Sequence, residues 1–244
     1  MCRIDSVRLS EQCAQQVTRL LILELLIALA AKKTFSYFSH VKAFAANVPP
    51  MPVLGHAYLQ FTVVLGLIVW LKFRGARFSD YGFRNFGPVW LFVVIVLAML
   101  ASSVILPAVL DPVLSVWFEK TPRDLGRFAG LAGNLPQFLF VMPFVWIFAA
   151  FGEEFFYRGF VLESVRRILG GGNAAMIVAI VVQAILFGAA HAYQGPVGMI
   201  PIGVGAIVSG FLYWAGGRRL WPLIAGHGIV DSIGLALIFT GGMH

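Results

Sequence analysis

The chain has 244 residues, of which 59% are hydrophobic and only 12% are charged. Soluble globular proteins carry about 25% charged residues, so this composition excludes a soluble globule. The net charge of +7 is not accompanied by a dense basic run with interleaved aromatic residues, and we therefore expect no nucleic-acid partner.

Long apolar runs follow one another along the sequence. Their lengths are about 15 to 23 residues, close to the roughly 20 that a helix needs to cross the hydrocarbon core of a bilayer. Helices are therefore expected rather than the short alternating strands of a barrel. The predicted fold class is all-α, a polytopic transmembrane helical bundle with about seven membrane segments. These segments are 18–31, 54–71, 88–108, 135–151, 174–191, 199–215 and 221–240.

The first of these segments differs from the other six, which are predicted to cross the membrane. It is short and carries Glu24, so a short or tilted crossing helix is favoured, with an interfacial helix as the alternative. Prolines then mark a linker before the second segment. We divide the chain into residues 1–53, an N-terminal tail with the short first helix and linker, and residues 54–244, a membrane-embedded core.

Basic residues are distributed unevenly between the predicted loops. With the N-terminus inside, most Lys and Arg fall on the inner side, as the positive-inside rule requires. Lys32 is among the few counted as outer, and Arg158 falls in the inner segment 152–173. This bias, together with the absence of a clear cleavable signal, predicts a multi-pass protein of a bacterial inner membrane, with an organellar membrane as the alternative. The lipid bilayer is thus an expected partner.

Ionisable residues occur in three clusters within the apolar runs or at their ends, where each charge costs roughly 3 kcal/mol on insertion scales. The first cluster follows the fourth span, and we expect a helix to continue through it. Glu154 and Arg158 are four residues apart, in the order that favours an ion pair. Glu153 points about 100° away and is a candidate general base. The alternative is a hydrated Glu-Arg cluster at the interface.

The second cluster combines Phe187 and His191, which share one helix face at a spacing of four residues. The small residues between them, Gly188 to Ala190, leave room for a neighbouring helix or a substrate backbone to approach. His191 is therefore a candidate catalytic imidazole. The alternative is a single histidine that serves as a satisfied polar group near a helix end.

The third cluster places His227 and Asp231 on one helix face. Asp231 could fix the tautomer of His227, as carboxylates do for catalytic or metal-bound imidazoles. The alternative is a structural His-Asp hydrogen bond. Because three such clusters coincide in apolar segments, a functional interpretation is favoured for all of them.

In this order the motifs resemble those of the CPBP family, the CAAX proteases and bacteriocin-processing enzymes also called Abi, which are intramembrane endopeptidases. The family pattern is Glu-Glu-x-x-x-Arg, then Phe-x-x-x-His, then His-x-x-x-Asn or a similar polar residue. The matching residues are Glu153, Glu154 and Arg158, then Phe187 and His191, then His227 and Asp231.

The resemblance implies that these residues form a catalytic site. Glu153 and His191 would activate a water for attack on a peptide carbonyl, while His227 and the residue at position 231 would stabilise the oxyanion. The chain departs from the family pattern at Asp231, because an ionised carboxylate cannot donate a hydrogen bond as an asparagine can. Asp231 is therefore expected to orient His227, to stay protonated or to contribute to a metal site.

The sequence alone leaves open whether the protein binds a metal ion as a cofactor. The residues Glu153, His191, His227 and Asp231 are candidate ligands for a divalent ion such as zinc, and members of the family are often labelled metalloproteases. However, none of the motifs has the His-Glu-x-x-His spacing that is typical of zinc proteases.

The expected function is therefore hydrolysis of a peptide bond in a peptide or membrane-protein substrate. Prenylated CAAX proteins are the best-known substrates of the family. One alternative is a non-catalytic membrane scaffold or bacteriocin-immunity protein with the same fold. A proton-coupled transporter is a further alternative, which would call for broken helices or internal repeats.

Overall fold

A computed structural model describes residues 7–39, 55–118 and 125–242 of the chain. The described residues form seven long helices and three short 3₁₀ turns, without any strand, which confirms the all-α prediction. The helices are α1 Val7–Ser39, α2 Gly55–Phe73, α3 Val89–Trp117, α4 Leu135–Ile168, α5 Asn173–Ala190, α6 Gly195–Ala215 and α7 Trp221–Phe239. Much of the predicted linker before α2 lies outside the described residues.

Within the part of the chain that is described, six helices are long and apolar enough to cross a membrane. They include Ala14–Thr34 of α1, so the first predicted segment has the length and composition of a crossing helix. The helix α2 contributes the shorter apolar stretch Phe61–Phe73. A multi-pass membrane protein is the architecture that these helices support.

The helix α1 is longer than the predicted segment 18–31, and this corrects the placement of Lys32. One face of α1 carries Leu21, Glu24, Ala28 and Lys32, all of them buried and spaced by three or four residues as neighbours on one helix side are. Glu24 accepts a hydrogen bond at 2.8 Å from the indole N–H of Trp70 in α2 and forms an ion pair at 2.8 Å with Arg74, the residue that follows α2. Lys32 therefore belongs to a packed helix, whereas the sequence placed it in an outer loop.

The helix α4 is also longer than the predicted span 135–151. It runs without interruption for 34 residues, so the expectation that a helix continues through Glu153 and Arg158 is confirmed. Residues 154–165 are buried in the fold, which corrects their assignment to an inner loop. The helix ends where Gly170 and Gly171 take positive φ values of 88° and 85°, a conformation that glycine adopts without steric cost.

Two stretches of α4 have π-helical geometry, Val145–Phe151 and Glu154–Leu162. Pro143 lies just before the first stretch and cannot donate the usual helical hydrogen bond. Widened turns of this kind occur often at functional sites. Here they flank Glu153, so the backbone irregularity and the charged motif coincide in the middle of one long helix.

The helices α5 and α6 pack closely along their small residues. A Cβ atom added to Gly188 of α5 would lie 3.1 Å from the Cα atom of Gly203 in α6 and 3.3 Å from the carbonyl oxygen of Met199. The predicted close approach of another helix at Gly188 is therefore confirmed, and it fixes the position of His191 at the end of α5.

Candidate active site

The carboxylate of Glu154 is the centre of the polar contacts between the first and third motifs. It is 1% exposed, and its Oε1 atom lies 3.2 Å from Nη1 of Arg158 and 2.8 Å from Nδ1 of His227. The ion pair with Arg158 was expected from the spacing in the sequence. The closer contact with His227 was not, because it joins residues on different helices, α4 and α7.

Arg158 is held by groups on three helices. Its Nη2 atom donates a hydrogen bond to Oγ of Ser209 in α6 at 2.5 Å, and its guanidinium lies 4.5 Å from the centre of the Phe187 ring in α5. Both Arg158 and Ser209 are buried. Sequence reasoning missed Ser209, since a serine in an apolar helix commonly bonds to its own backbone and carries no distinguishing pattern.

The imidazole of His227 has a carboxylate oxygen at each ring nitrogen. Besides the Glu154 contact at Nδ1, its Nε2 atom lies 3.4 Å from Oδ2 of Asp231. The side chain of Asp231 is 31% exposed, against 1% for Glu154. The predicted proximity of Asp231 to His227 is thus observed, but the shorter and more deeply buried contact that orients this ring comes from Glu154.

His191 is oriented by the backbone of its own helix. Its Nδ1 atom lies 2.9 Å from the carbonyl oxygen of Phe187. A carbonyl oxygen only accepts hydrogen bonds, so Nδ1 carries the proton in this contact and a neutral ring has its lone pair on Nε2. The arrangement leaves His191 able to accept a proton or a hydrogen bond from a water.

The ring of Phe187 connects the three motifs. Its centre lies 4.9 Å from the Tyr157 ring, 4.8 Å from the His191 ring and 6.4 Å from the His227 ring. These aromatic contacts, with the Arg158 guanidinium over the same ring, bring residues of α4, α5 and α7 together. The three motifs therefore form one cluster within the fold.

Glu153 lies at the edge of this cluster. Unlike Glu154, it is only partly buried, and within the described residues its carboxylate makes no direct ion pair or hydrogen bond. Four residues later in α4, the Tyr157 ring packs on Phe187 and has the ammonium group of Lys32 at 4.2 Å from its centre. Glu153 is thus a partly exposed carboxylate at the edge of the cluster.

The candidate metal ligands do not converge. Among the described residues, no three His, Cys, Asp or Glu side chains come together where they could hold a metal ion. His227 illustrates the reason, since both of its ring nitrogens already face carboxylate oxygens. We therefore derive no step through a metal ion.

Comparison with known proteins identifies a family model that matches the part of the chain that carries this site. Residues 135–233 match the family model described as Type II CAAX prenyl endopeptidase Rce1-like. No curated protein and no solved structure matches the chain. The matched segment begins at the first residue of α4, extends into α7 and contains all six predicted site residues. The resemblance inferred from the three motifs is therefore confirmed over this segment.

Proposed function

We propose that this chain is an intramembrane endopeptidase that hydrolyses a peptide bond with a water activated by Glu153 and His191. The observation that carries the proposal is the position of Phe187, whose ring contacts those of His191, His227 and Tyr157. The three motifs of the matched family are thereby gathered around one ring. Six helices of membrane-spanning length support a substrate that reaches the site from the bilayer.

In the first step, Glu153 acts as the general base and His191 holds the water through Nε2. The water proton passes to the Glu153 carboxylate while the water oxygen attacks the carbonyl carbon of the scissile bond. Proton transfer of this kind contributes about 10²- to 10⁴-fold to rates. Glu153 suits the role because it is partly exposed and makes no direct ion pair in the described fold.

His227 stabilises the oxyanion that forms on the carbonyl oxygen. Its Nδ1 atom is held by Glu154 at 2.8 Å, which aims the opposite nitrogen, Nε2, away from the core. The contact of Nε2 with Asp231 is 3.4 Å long, beyond the usual 2.7–3.2 Å range for a hydrogen bond. The partly exposed Asp231 side chain can therefore turn aside and let Nε2–H donate to the oxyanion.

In the last step, the tetrahedral intermediate collapses and the carbon–nitrogen bond breaks. The proton held by Glu153 passes to the departing nitrogen, so that one water and one peptide bond give a carboxylic acid and an amine. Arg158 takes no part in the proton transfer and serves to neutralise Glu154. The proposed substrate is a peptide or membrane-protein segment, with a prenylated C-terminal peptide as the class to test first.

The test is cleavage of fluorogenic peptides by the purified protein in liposomes, with prenylated and unprenylated forms of one sequence. We expect Glu153→Gln and His191→Asn to lose at least about 100-fold in kcat, while the control Asp80→Asn, which removes an exposed carboxylate of the α2–α3 loop, cleaves as the wild type does. Cleavage by Glu153→Gln at the wild-type rate would remove Glu153 as the base. A folded wild type that cleaves no peptide would favour the scaffold or immunity alternative.

A further inference from the structure

Lys32 is a buried cation beside the candidate active site. It is 9% exposed, and its ammonium nitrogen lies 4.4 Å from the centre of the Phe156 ring and 4.2 Å from that of Tyr157. Both rings follow Glu153 by three and four residues in α4, a spacing that places them on the same helix side. The ammonium group therefore lies over the turn of α4 that follows Glu153.

The other buried carboxylates of the described fold are neutralised by direct partners. Glu24 contacts Arg74 at 2.8 Å, Glu154 contacts Arg158 at 3.2 Å, and Glu163 contacts Arg166 and Arg218 at 3.0 and 3.2 Å. Lys32 forms no direct ion pair with any described residue. The carboxylate that interacts with it electrostatically is that of Glu153. Glu153 also forms no direct ion pair with a described residue.

A buried lysine without a direct ion pair requires a physical explanation. A charged side chain within an apolar helix is costly and is retained where it pairs with another group or serves a site. The ring faces of Phe156 and Tyr157 attract the ammonium group and keep it next to this part of α4. Among the described residues Lys32 and Glu153 form no direct ion pair, so the charge of Lys32 acts on Glu153 over a longer distance.

We propose that Lys32 is a positioning residue, whose positive charge attracts the Glu153 carboxylate and directs it toward the water that it activates. The proposal rests on the proposed function, in which Glu153 is the general base. Lys32 does not contact the reacting atoms. Its positive charge attracts the carboxylate of Glu153 and thereby sets the direction of that side chain.

The kinetic test compares Lys32→Met, Lys32→Arg and the control Lys33→Met in liposomes. Methionine retains the length of the side chain without its charge, arginine retains the charge, and Lys33 is exposed on the other side of α1. We expect Lys32→Met to lose about 10-fold or more in kcat with little change in KM, as part of the general-base contribution. Lys32→Arg should recover part of that loss, and Lys33→Met should match the wild type.

A double-mutant cycle separates a positioning role from a structural one. If Lys32 acts through Glu153, Lys32→Met has no further effect on the residual rate of Glu153→Gln, because the interaction is already absent. An equal fold loss in both backgrounds would overturn the proposal. A loss confined to peptides with a free C-terminal carboxylate, and absent with the corresponding amides, would also overturn it by assigning Lys32 to substrate binding.

An infrared measurement tests the proposal independently of hydrolysis. The carboxylate band of Glu153 is identified as the difference between the spectra of the wild type and Glu153→Gln. In Lys32→Met we expect this band to shift in frequency, because the carboxylate loses the positive charge near it, while Lys33→Met leaves it unchanged. An unchanged band in Lys32→Met would overturn the proposal. A changed band in a protein that cleaves nothing would instead support the Lys32–Glu153 coupling and contradict the proposed function.

Discussion

The Nδ1 atom of His227 lies 2.8 Å from Oε1 of Glu154, a carboxylate 73 residues earlier in the chain. The same oxygen lies 3.2 Å from Arg158, so one buried atom joins a cation of α4 to an imidazole of α7. Glu154 therefore has two tasks, which are to neutralise Arg158 and to orient His227. This relationship makes the effect of removing its charge predictable.

Replacing Glu154 with glutamine is expected to destabilise the protein. The side chains of Arg158 and Glu154 are 3% and 1% exposed, and removing one partner of a buried pair costs about 3–5 kcal/mol because the other charge is left uncompensated. The free energy of unfolding, measured in mixed micelles with an increasing fraction of SDS, should fall by that amount. The double variant Glu154→Gln with Arg158→Met should recover much of the loss. If this double variant were no more stable than Glu154→Gln alone, this account of the ion pair would be contradicted.

The variants His191→Asn and His191→Gln are expected to separate folding from hydrolysis. An asparagine amide can replace Nδ1 as donor to the Phe187 carbonyl, whose present contact is 2.9 Å, but it lacks the second ring nitrogen. We expect both variants to unfold at nearly the wild-type temperature and to lose at least about 100-fold in kcat. Retention of the rate by either variant would exclude Nε2 of His191 from the mechanism.

Gly188 and Gly234 form a matched pair for testing helix packing. The substitution Gly188→Ala would place a methyl group 3.1 Å from the backbone of Gly203, whereas nothing lies within 4 Å of the corresponding position at Gly234. Overpacking against a backbone costs about 1–3 kcal/mol, while alanine in an open helical position gains about 1 kcal/mol over glycine. Unfolding in mixed micelles should therefore move in opposite directions for the two variants. Equal shifts would contradict the close α5–α6 contact.

The buried carboxylate of Glu163 in α4 contacts three side chains. It accepts a hydrogen bond from the Tyr213 hydroxyl at 3.1 Å and contacts Arg166 and Arg218 at 3.0 and 3.2 Å. The variant Tyr213→Phe removes one hydrogen bond and should lower the free energy of unfolding by about 1 kcal/mol. Cleavage per folded molecule should stay unchanged, because these residues do not contact the candidate site. A selective loss of kcat in Tyr213→Phe would contradict a purely structural role.

Removal of metal ions is expected to leave cleavage unaffected. The described residues bring no three candidate ligands together, and His227 has carboxylate oxygens at both ring nitrogens. Dialysis against a chelator, followed by the peptide assay in metal-free buffer, measures this directly. Loss of activity that zinc restores would show that the site rearranges around an ion, and would return Glu153, His191, His227 and Asp231 to consideration as ligands.

Much of the fold could be predicted because its determinants are local. The length of an apolar run sets the length of a membrane helix, and this was sufficient to place both ends of α5, α6 and α7 within a few residues. The helix α3 begins near its predicted start but continues to Trp117, well beyond the predicted end at residue 108. The same reasoning ended α4 too early, at residue 151. The apolar run is interrupted there by Glu153, Glu154 and Arg158, whose charges lower the hydropathy although the helix continues.

The sequence by itself determined the motifs, their order and the resemblance to a family, since the spacing of residues along one helix places them on one face. It could not determine which side chains from different helices meet. Only the tertiary structure brought Glu154 to His227, Ser209 to Arg158 and Lys32 to the side of Glu153. The physical reason is that a charge inside an apolar helix is stabilised by partners on neighbouring helices, and those partners have no fixed separation along the chain.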